Sequence, residues 1–484
     1  MNKTSLMQRL FLAITTILCI HPVTAAEQTV QPNVIIVMTD EHNFRTLGAY
    51  RQGLVEQQAK MWGDTVVETP NIDWLADNGA IATSFYAAAP VCTPSRGAFV
   101  TGMYPQNNHA VQNNEPLRGD AITFAQVLKE SGYATGYIGK WHLDGSGKPQ
   151  WAPERQFGFD DNRYMFNRGH WKIFEDTVDG PKVADGGASA ADETSFSTDY
   201  LFNKMFDFIE LNKAKPFAMM LSLGDPHGPD SVRTPYDTMY ESVEFSLPHT
   251  MNVDPADAPI WGQPASKSNS MQGYYGMIKL IDDKMAQLYS KLEQLQLLDN
   301  TIIVFTSDHG DLKGEHARQN KGVPFEGSAR IPFLVYYPEK IPAKTVVTQA
   351  LTTVDFQQTL LGLAGIAASG NEDGRDASPL LMDPENCQEW QDLAFMRQSS
   401  KTGEGWITAI SDRYKLVFNP EGEPWLFDLE NDPDELINYY TDIKYRAVVH
   451  FMATALKAYA LEHNDVFYNH EHMQAEVEKA IASD

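Results

Sequence analysis

Two stretches, "NVIIVMTD" at 33–40 and "TIIVFTSDHGD" at 301–311, constrain this chain more than anything else in it. Each is a short, β-branched, continuously apolar run. Continuous rather than alternating hydrophobicity calls for burial on both faces, the situation of a strand inside a largely parallel sheet covered by helices. Each run then stops in acid. Asp40 and Glu41 follow the first and Asp308 and His309 the second, so both strands deliver potential metal ligands to a loop at one edge of the sheet. A third strand-then-loop segment, "PFAMMLSLGDPHGP" at 216–229, ends near His227.

Helical patterns lie between these runs, as an α/β domain requires. "TPNIDWLADNGA" at 69–80 has apolar residues at helical spacing and stops at Gly79, and "ITFAQVLKESGY" at 122–133 repeats the pattern. Residues 270–297 carry dense helical periodicity and predict a long helix feeding the 301–306 strand. From Gly180 to Ser197 the composition predicts an exposed loop. Breakers and acids between about 370 and 405 mark a boundary. Past it, "GWITAISDRYKLVFNP" and "EPWLFDLENDPDE" read as a hairpin or meander, and "YRAVVHFMATALKAYALEHND" as a packed terminal helix. The expected division is a signal peptide at 1–26, an α/β domain at 27–385 and a smaller α+β subdomain at 386–484.

The signal peptide rests on Lys3 and Arg9 ahead of "LFLAITTILCI", then on small residues near Ala25 and Ala26. The apolar run ends at His21 and Pro22, too short for a stable membrane anchor, so the chain is expected to be exported, either periplasmic or secreted. A formal charge of -26, from 64 acidic and 38 basic residues, argues against a nucleic-acid partner. It does not argue against an anionic substrate, because a local group of cations overrides the mean.

Asp40, Glu41 and Asp308 offer hard oxygen donors and His309 a nitrogen, a set open to calcium, magnesium or manganese. Acids at strand ends also serve as turn and cap residues. If Arg96, Lys140, His142, His227 and Lys321 converge on them, the result is a clamp for a tetrahedral oxyanion. "GSGKPQ" at 145–150 looks like a phosphate loop but lacks its glycine spacing and the Ser or Thr after Lys148, while Pro149 opposes the helix that should follow. Neither a CxxC pair nor HExxH occurs. Cys92 and Cys387 remain after signal removal and are either paired or free.

The stretch "VCTPSRGAFVTG" at 91–102, which by composition makes a turn, contains Cys92-Thr93-Pro94-Ser95-Arg96. With "NVIIVMTDE", "GYIGKWHL", "FTSDHGD" and a downstream lysine in the same order, it resembles the type I sulfatase family over nearly the whole mature chain. The resemblance implies an alkaline-phosphatase-like domain, with a central mixed sheet flanked by helices and a smaller C-terminal α+β subdomain. It implies that a separate maturation enzyme oxidises Cys92 to formylglycine, whose hydrate is the nucleophile. Asp40, Glu41, Asp308, His309 and the modified Cys92 would hold the ion, usually calcium in that family. His309 stands where many members have an amide, as in choline-sulfatase-like and phosphonate-monoester-hydrolase-like relatives.

Arg96 would orient residue 92, and Lys140 and Lys321 would bind the sulfate. His227 or Lys321 would protonate the leaving oxygen, and His142 would take a proton from the second hydroxyl so that sulfate is expelled. The expected substrate is a sulfated carbohydrate. Asn107, Asn108 and His109 could reach it, and Trp141, Trp151 and Trp171 could line a sugar platform or the core. The competing expectations are a formylglycine phosphodiesterase or phosphonate monoester hydrolase, and a non-catalytic secreted glycan binder. Oligomeric state is not legible.

Overall fold

The first apolar run forms β1 (Asn33–Asp40), buried along its whole length, as its lack of alternation predicts. The computed structural model describes residues 31–265, 271–384, 387 and 390–482, so the signal segment expected at 1–26 lies outside the described residues. Along the chain follow α1 (Pro70–Asn78), β2 (Ala80–Ala82), α2 (Cys92–Thr101), α3 (Phe124–Glu130), β3 (Ala134–Lys140) and β4 (Met165–Phe166). Next come α4 (Ser197–Asn212), β5 (Phe217–Pro226), α5 (Gln272–Gln294), β6 (Thr301–Ser307), β7 (Phe333–Tyr336), β8 (Thr345–Val347) and α6 (Phe356–Ala364).

These eight strands make one mixed sheet in the order β8-β2-β7-β6-β1-β5-β3-β4. β7 runs antiparallel to both its neighbours, while β6, β1, β5 and β3 are mutually parallel. The period of two along β1 sorts its side chains onto two cores. Val34, Ile36 and Met38 pack with Phe99 of α2, Phe124 of α3 and Phe356 of α6. Ile35 and Val37 pack with Ile72 of α1, Met205 of α4 and Ile281 of α5. The helices therefore cover both faces.

The C-terminal part is a four-stranded antiparallel meander of β9 (Ala394–Arg397), β10 (Ile407–Ile410), β11 (Tyr414–Phe418) and β12 (Trp425–Asp428), followed by α7 (Arg446–Glu462) and α8 (Glu471–Ala482). One face of the meander (Ile407, Leu416, Phe418) packs on Met452 and Leu456 of α7 and reaches Ala98 of α2. The other (Ile410, Val417, Phe427) packs on Tyr86 and Phe325. Residues Pro32–Asp484 form a single compact unit.

Three local expectations change. The Cys-Thr-Pro-Ser-Arg stretch is the first turn of α2 rather than a turn; Pro94 fits there because the first-turn N–H groups have no intrahelical acceptor. Gly180–Val183 is a strand paired antiparallel with Phe174–Thr177, and the irregular stretch begins only after it. α8 follows the helix read as terminal, with Met473, Val477 and Ala480 buried. Among the described residues no helix is long and apolar enough to cross a membrane.

Candidate active site

Because β3, β5, β1 and β6 are neighbours running the same way, their carboxyl ends share one edge of the sheet. Thr39 of β1 is in register with Ser307 of β6, which places the next residues, Asp40 and Asp308, side by side. The Asp308 amide donates to Thr39 O at 3.2 Å, and the Glu41 amide to Asp308 Oδ1 at 3.2 Å. On β3, Gly139 has φ +102, and a Cβ there would lie 1.9 Å from Ser222 O. Only glycine permits that approach, which puts Lys140 against the same edge.

α2 is pinned to this edge by Arg96, one turn after Cys92 and on the same helix face. Its guanidinium donates from Nε to Asp308 Oδ2 (2.8 Å) and from one terminal nitrogen to Asp40 Oδ2 (3.1 Å). The other nitrogen donates to Lys140 O (2.8 Å) and Ser222 Oγ (2.6 Å). Arg96 is 1% exposed. Burial opposes its charge, but Asp308 and Asp40 outweigh burial and hold the guanidinium protonated beyond its ordinary range.

Cys92 opens α2 at the centre of this arrangement. Its Sγ lies 3.2 Å from His309 Nε2, 3.6 Å from Lys140 Nζ and 3.9 Å from Asp40 Oδ1. Ligand atoms of Asp40, Cys92, Asp308 and His309 all fall within 4.8 Å of one another, and all four residues are buried. Burial pushes the Cys92 thiol up, yet Lys140 and Lys321 overcome it and leave its pKa well below the usual thiol range. Asp40 behaves likewise: burial opposes ionisation, and Lys140 and Arg96 hold its carboxyl well below the usual range. Lys140 Nζ also bonds Asp40 Oδ2.

Glu41, expected among the metal ligands, stands outside that four-residue group. One of its oxygens pairs with Lys321 Nζ at 2.7 Å and the other with His227 Nε2 at 3.1 Å. The two candidate proton donors thus share one carboxylate. His142, at φ +62, is held by Thr93 Oγ1 donating to its carbonyl at 2.9 Å. Both its ring nitrogens are buried without a hydrogen-bond partner. Burial lowers its pKa and Cys92 pulls it back up. A buried imidazole with neither ring nitrogen bonded has the capacity to accept a proton.

All ten residues singled out for chemistry in the sequence therefore meet around one edge. An eleventh, His170, gave no sequence signal: it sits in the loop "NRGHW", preceded only by the two-residue β4, too short to read as an apolar strand. Its Nε2 lies 2.8 Å from Lys140 Nζ and its ring stacks on His227 with centroids 3.5 Å apart. The secondary candidates are placed elsewhere. Asn107 donates to Asp373 and Asn108 to Met103 O, both as scaffold. Trp141 packs on Tyr137 and Phe159, and Trp151 on Phe166 and Phe174, both in the core. Trp171 lies under Lys148, whose ammonium is 5.0 Å from the ring centroid. Cys92 and Cys387 are both free.

Comparison with known proteins agrees with this geometry. The family model described as Sulfatase matches residues 32–366, and one described as N-sulphoglucosamine sulphohydrolase, C-terminal, matches 314–462. An ulvan-active sulfatase from Formosa agariphila is 29% identical over 88% of this chain and 80% of its own length. An N-acetylglucosamine-6-O-sulfatase from Bacteroides thetaiotaomicron is 25% identical over 88% of this chain and 85% of its own. A solved structure of a protein in complex with its substrate D-glucosamine-2-N,6-O-disulfate superposes with a TM-score of 0.73 at 21% identity, covering 90% of this chain and 98% of that one. The large mixed sheet with a smaller C-terminal part is therefore the alkaline-phosphatase-like fold of those structures. Since the family model spans most of the sequence, this chain belongs to the sulfatase family and is a sulfuric ester hydrolase.

Proposed function

We propose that this chain hydrolyses sulfate esters carried by a carbohydrate, using Cys92 after its conversion to formylglycine. The observation that carries the proposal is the place of Cys92 Sγ: buried, first in α2, ringed by Lys140 and His309 and in reach of Asp40. A thiol has no packing role among such charges, whereas a residue rebuilt there as a twin hydroxyl would face an incoming anion. The carbohydrate is supported by the relatives' names, an ulvan-active sulfatase and an N-acetylglucosamine-6-O-sulfatase. The signal-like residues 1–26 support an exported enzyme, and conversion of Cys92 would fall to a separate formylglycine-generating partner.

The donor set fits a divalent cation. Asp40 and Asp308 offer carboxylate oxygens and His309 an imidazole nitrogen, and an oxygen on residue 92 would replace the sulfur, making a mostly hard set for calcium, with magnesium or manganese as alternatives. Glu41 would join it only by leaving Lys321 and His227. Bound there, the ion would supply Lewis acidity toward a sulfate oxygen and ease deprotonation of the hydroxyl at residue 92.

The chain's own groups do the rest. Arg96 pairs with both Asp40 and Asp308, helps hold Asp40 ionised, and keeps α2 in place. Lys140 Nζ and Lys321 Nζ bind the sulfate oxygens, where preorganised cations stabilise the charge that builds during transfer. His227 Nε2 and Lys321 Nζ, bracketed by Glu41, form the pair from which the leaving oxygen takes its proton. His142, with both ring nitrogens free, accepts the proton from the second hydroxyl at residue 92 as sulfate departs.

Sulfate release from a panel of sulfated oligosaccharides by matured, metal-replete protein tests the proposal; inactivity across the panel overturns the carbohydrate assignment. His309, in place of an amide, favours one second reading: phosphodiester or phosphonate monoester hydrolysis at the same centre. A larger kcat/KM for such esters than for any sulfate ester decides for it.

A further inference from the structure

We infer that His170 is a positioning residue for this reaction: it fixes the Lys140 ammonium where sulfate binds and holds the plane of His227 for proton delivery to the leaving oxygen. The inference rests on the proposed sulfatase chemistry and adds a residue to it.

His227 is anchored at its two nitrogens, Nδ1 at 2.8 Å from Gly228 O and Nε2 at 3.1 Å from Glu41 Oε2. Both contacts lie at the ring's edge, where a hydrogen bond bends easily, and neither bears on its faces. The His170 ring supplies the missing restraint, lying nearly parallel at 10° with centroids 3.5 Å apart. Tilt matters because a proton passes efficiently only along a short, aligned path.

The same ring also faces Lys140. An ammonium has only donors, so at 2.8 Å the Nε2 of His170 accepts and its proton sits on Nδ1. Lys140 is then held by Asp40 Oδ2, by His170 and, at 3.6 Å, by Cys92 Sγ. Without His170, a flexible four-carbon stem would keep its carboxylate partner alone to set the direction of its remaining N–H groups.

The loop carrying His170 is built to hold it. Lys172 Nζ donates to Asp225 Oδ1 at 2.6 Å and to His227 O at 3.3 Å, tying the two histidine-bearing segments together. Gly169, at φ +123, lets the Trp171 indole fold back to 2.2 Å from where a Cβ would sit. His170 itself keeps 26% of its side chain exposed, so it stands at the mouth of the site, where substitution is compatible with folding.

Three substitutions separate the two roles. His170→Phe keeps a ring to stack but has no acceptor, His170→Gln keeps an acceptor without a ring, and His170→Ala has neither. Two readouts are needed: the Kd of inorganic sulfate by calorimetry on the metal-replete protein, and kcat on a sugar sulfate against 4-nitrophenyl sulfate, whose phenol needs no acid. For His170→Ala the Kd rises about 10-fold, and kcat falls about 100-fold on the sugar ester but less than about 10-fold on the aryl ester.

His227→Ala sets the reference for that leaving-group signature. His170→Phe restores the sugar-to-aryl ratio but not the Kd, and His170→Gln restores the Kd but not the ratio. Equal losses on both esters with an unchanged Kd overturn the inference, as does identical behaviour of all three variants. Wild-type protein that binds sulfate yet hydrolyses no ester overturns the sulfatase proposal instead, and the variants' Kd values still decide the Lys140 half.

Discussion

Two clusters of buried charge in this molecule use the same residue types to opposite ends. Lys415 of the C-terminal meander donates to Glu326 Oε1, Glu435 Oε1 and Pro324 O, each at 2.7 Å. Its three donors are used up, and its two carboxylates are further bonded by the Glu326 amide and Tyr86 OH. None of the three charged side chains exceeds 4% exposure. At the sheet edge, by contrast, His142 has two buried nitrogens with no partner, and Lys321, His227 and His170 open to solvent by 15%, 19% and 26%. A saturated, sealed network locks two parts of a fold together; an unsatisfied one with a mouth is arranged around something yet to enter.

The contrast breaks most sharply at Cys92. Cys92→Ala should cut turnover by about 10⁴-fold or more while leaving the melting temperature near that of the parent, measured on the same preparation. Lys415→Met should do the reverse. Leaving Glu435 buried with no cation, and Glu326 with Arg330 alone at 3.3 Å, should destabilise the protein by about 3–5 kcal/mol in urea unfolding, with kcat unchanged wherever the protein stays folded. A large loss of kcat in folded Lys415→Met would erase the distinction. His142→Ala should lower kcat by about 10²-fold at little cost in stability, since it removes an imidazole that bonds nothing in the fold.

The smallest effect is one of pH. Burial raises Glu435 from the ordinary 4.5 to about 7, with Lys415 opposing and Glu326 reinforcing the rise. The folded state then binds a proton that the unfolded chain has released, so stability should fall as pH rises from about 4.5 through about 7. Glu435→Gln should flatten that slope; an unchanged slope in urea midpoints would place the titration elsewhere.

Legibility followed the range of the physics. Continuous apolar runs ending in acid needed only local information, so Asp40, Glu41, Asp308 and His309 could be assigned to strand ends, and parallel pairing did the rest. That Arg96, Lys140 and Lys321 converge was implied by resemblance, because a lone cation in a sequence is indistinguishable from a surface one. The engagement of Glu41 with Lys321 and His227 depends on a backbone φ of +64, which glutamate rarely adopts and no pattern announces. The small, polar composition around Cys92 predicts a turn, since Pro94, Ser95 and Gly97 are poor helix formers, yet tertiary burial of all ten residues of α2 overrides propensity. His170 was silent because nothing about "NRGHW" shows which ring it will meet.

The most direct measurement is mass spectrometry of the peptide bearing Cys92, taken from native-source protein whose sulfate release is assayed in the same sample. Activity should track the fraction of residue 92 in which sulfur and two hydrogens have been lost and one oxygen gained, seen as the aldehyde or its hydrate. An intact thiol throughout fully active protein would contradict a nucleophile rebuilt from that side chain.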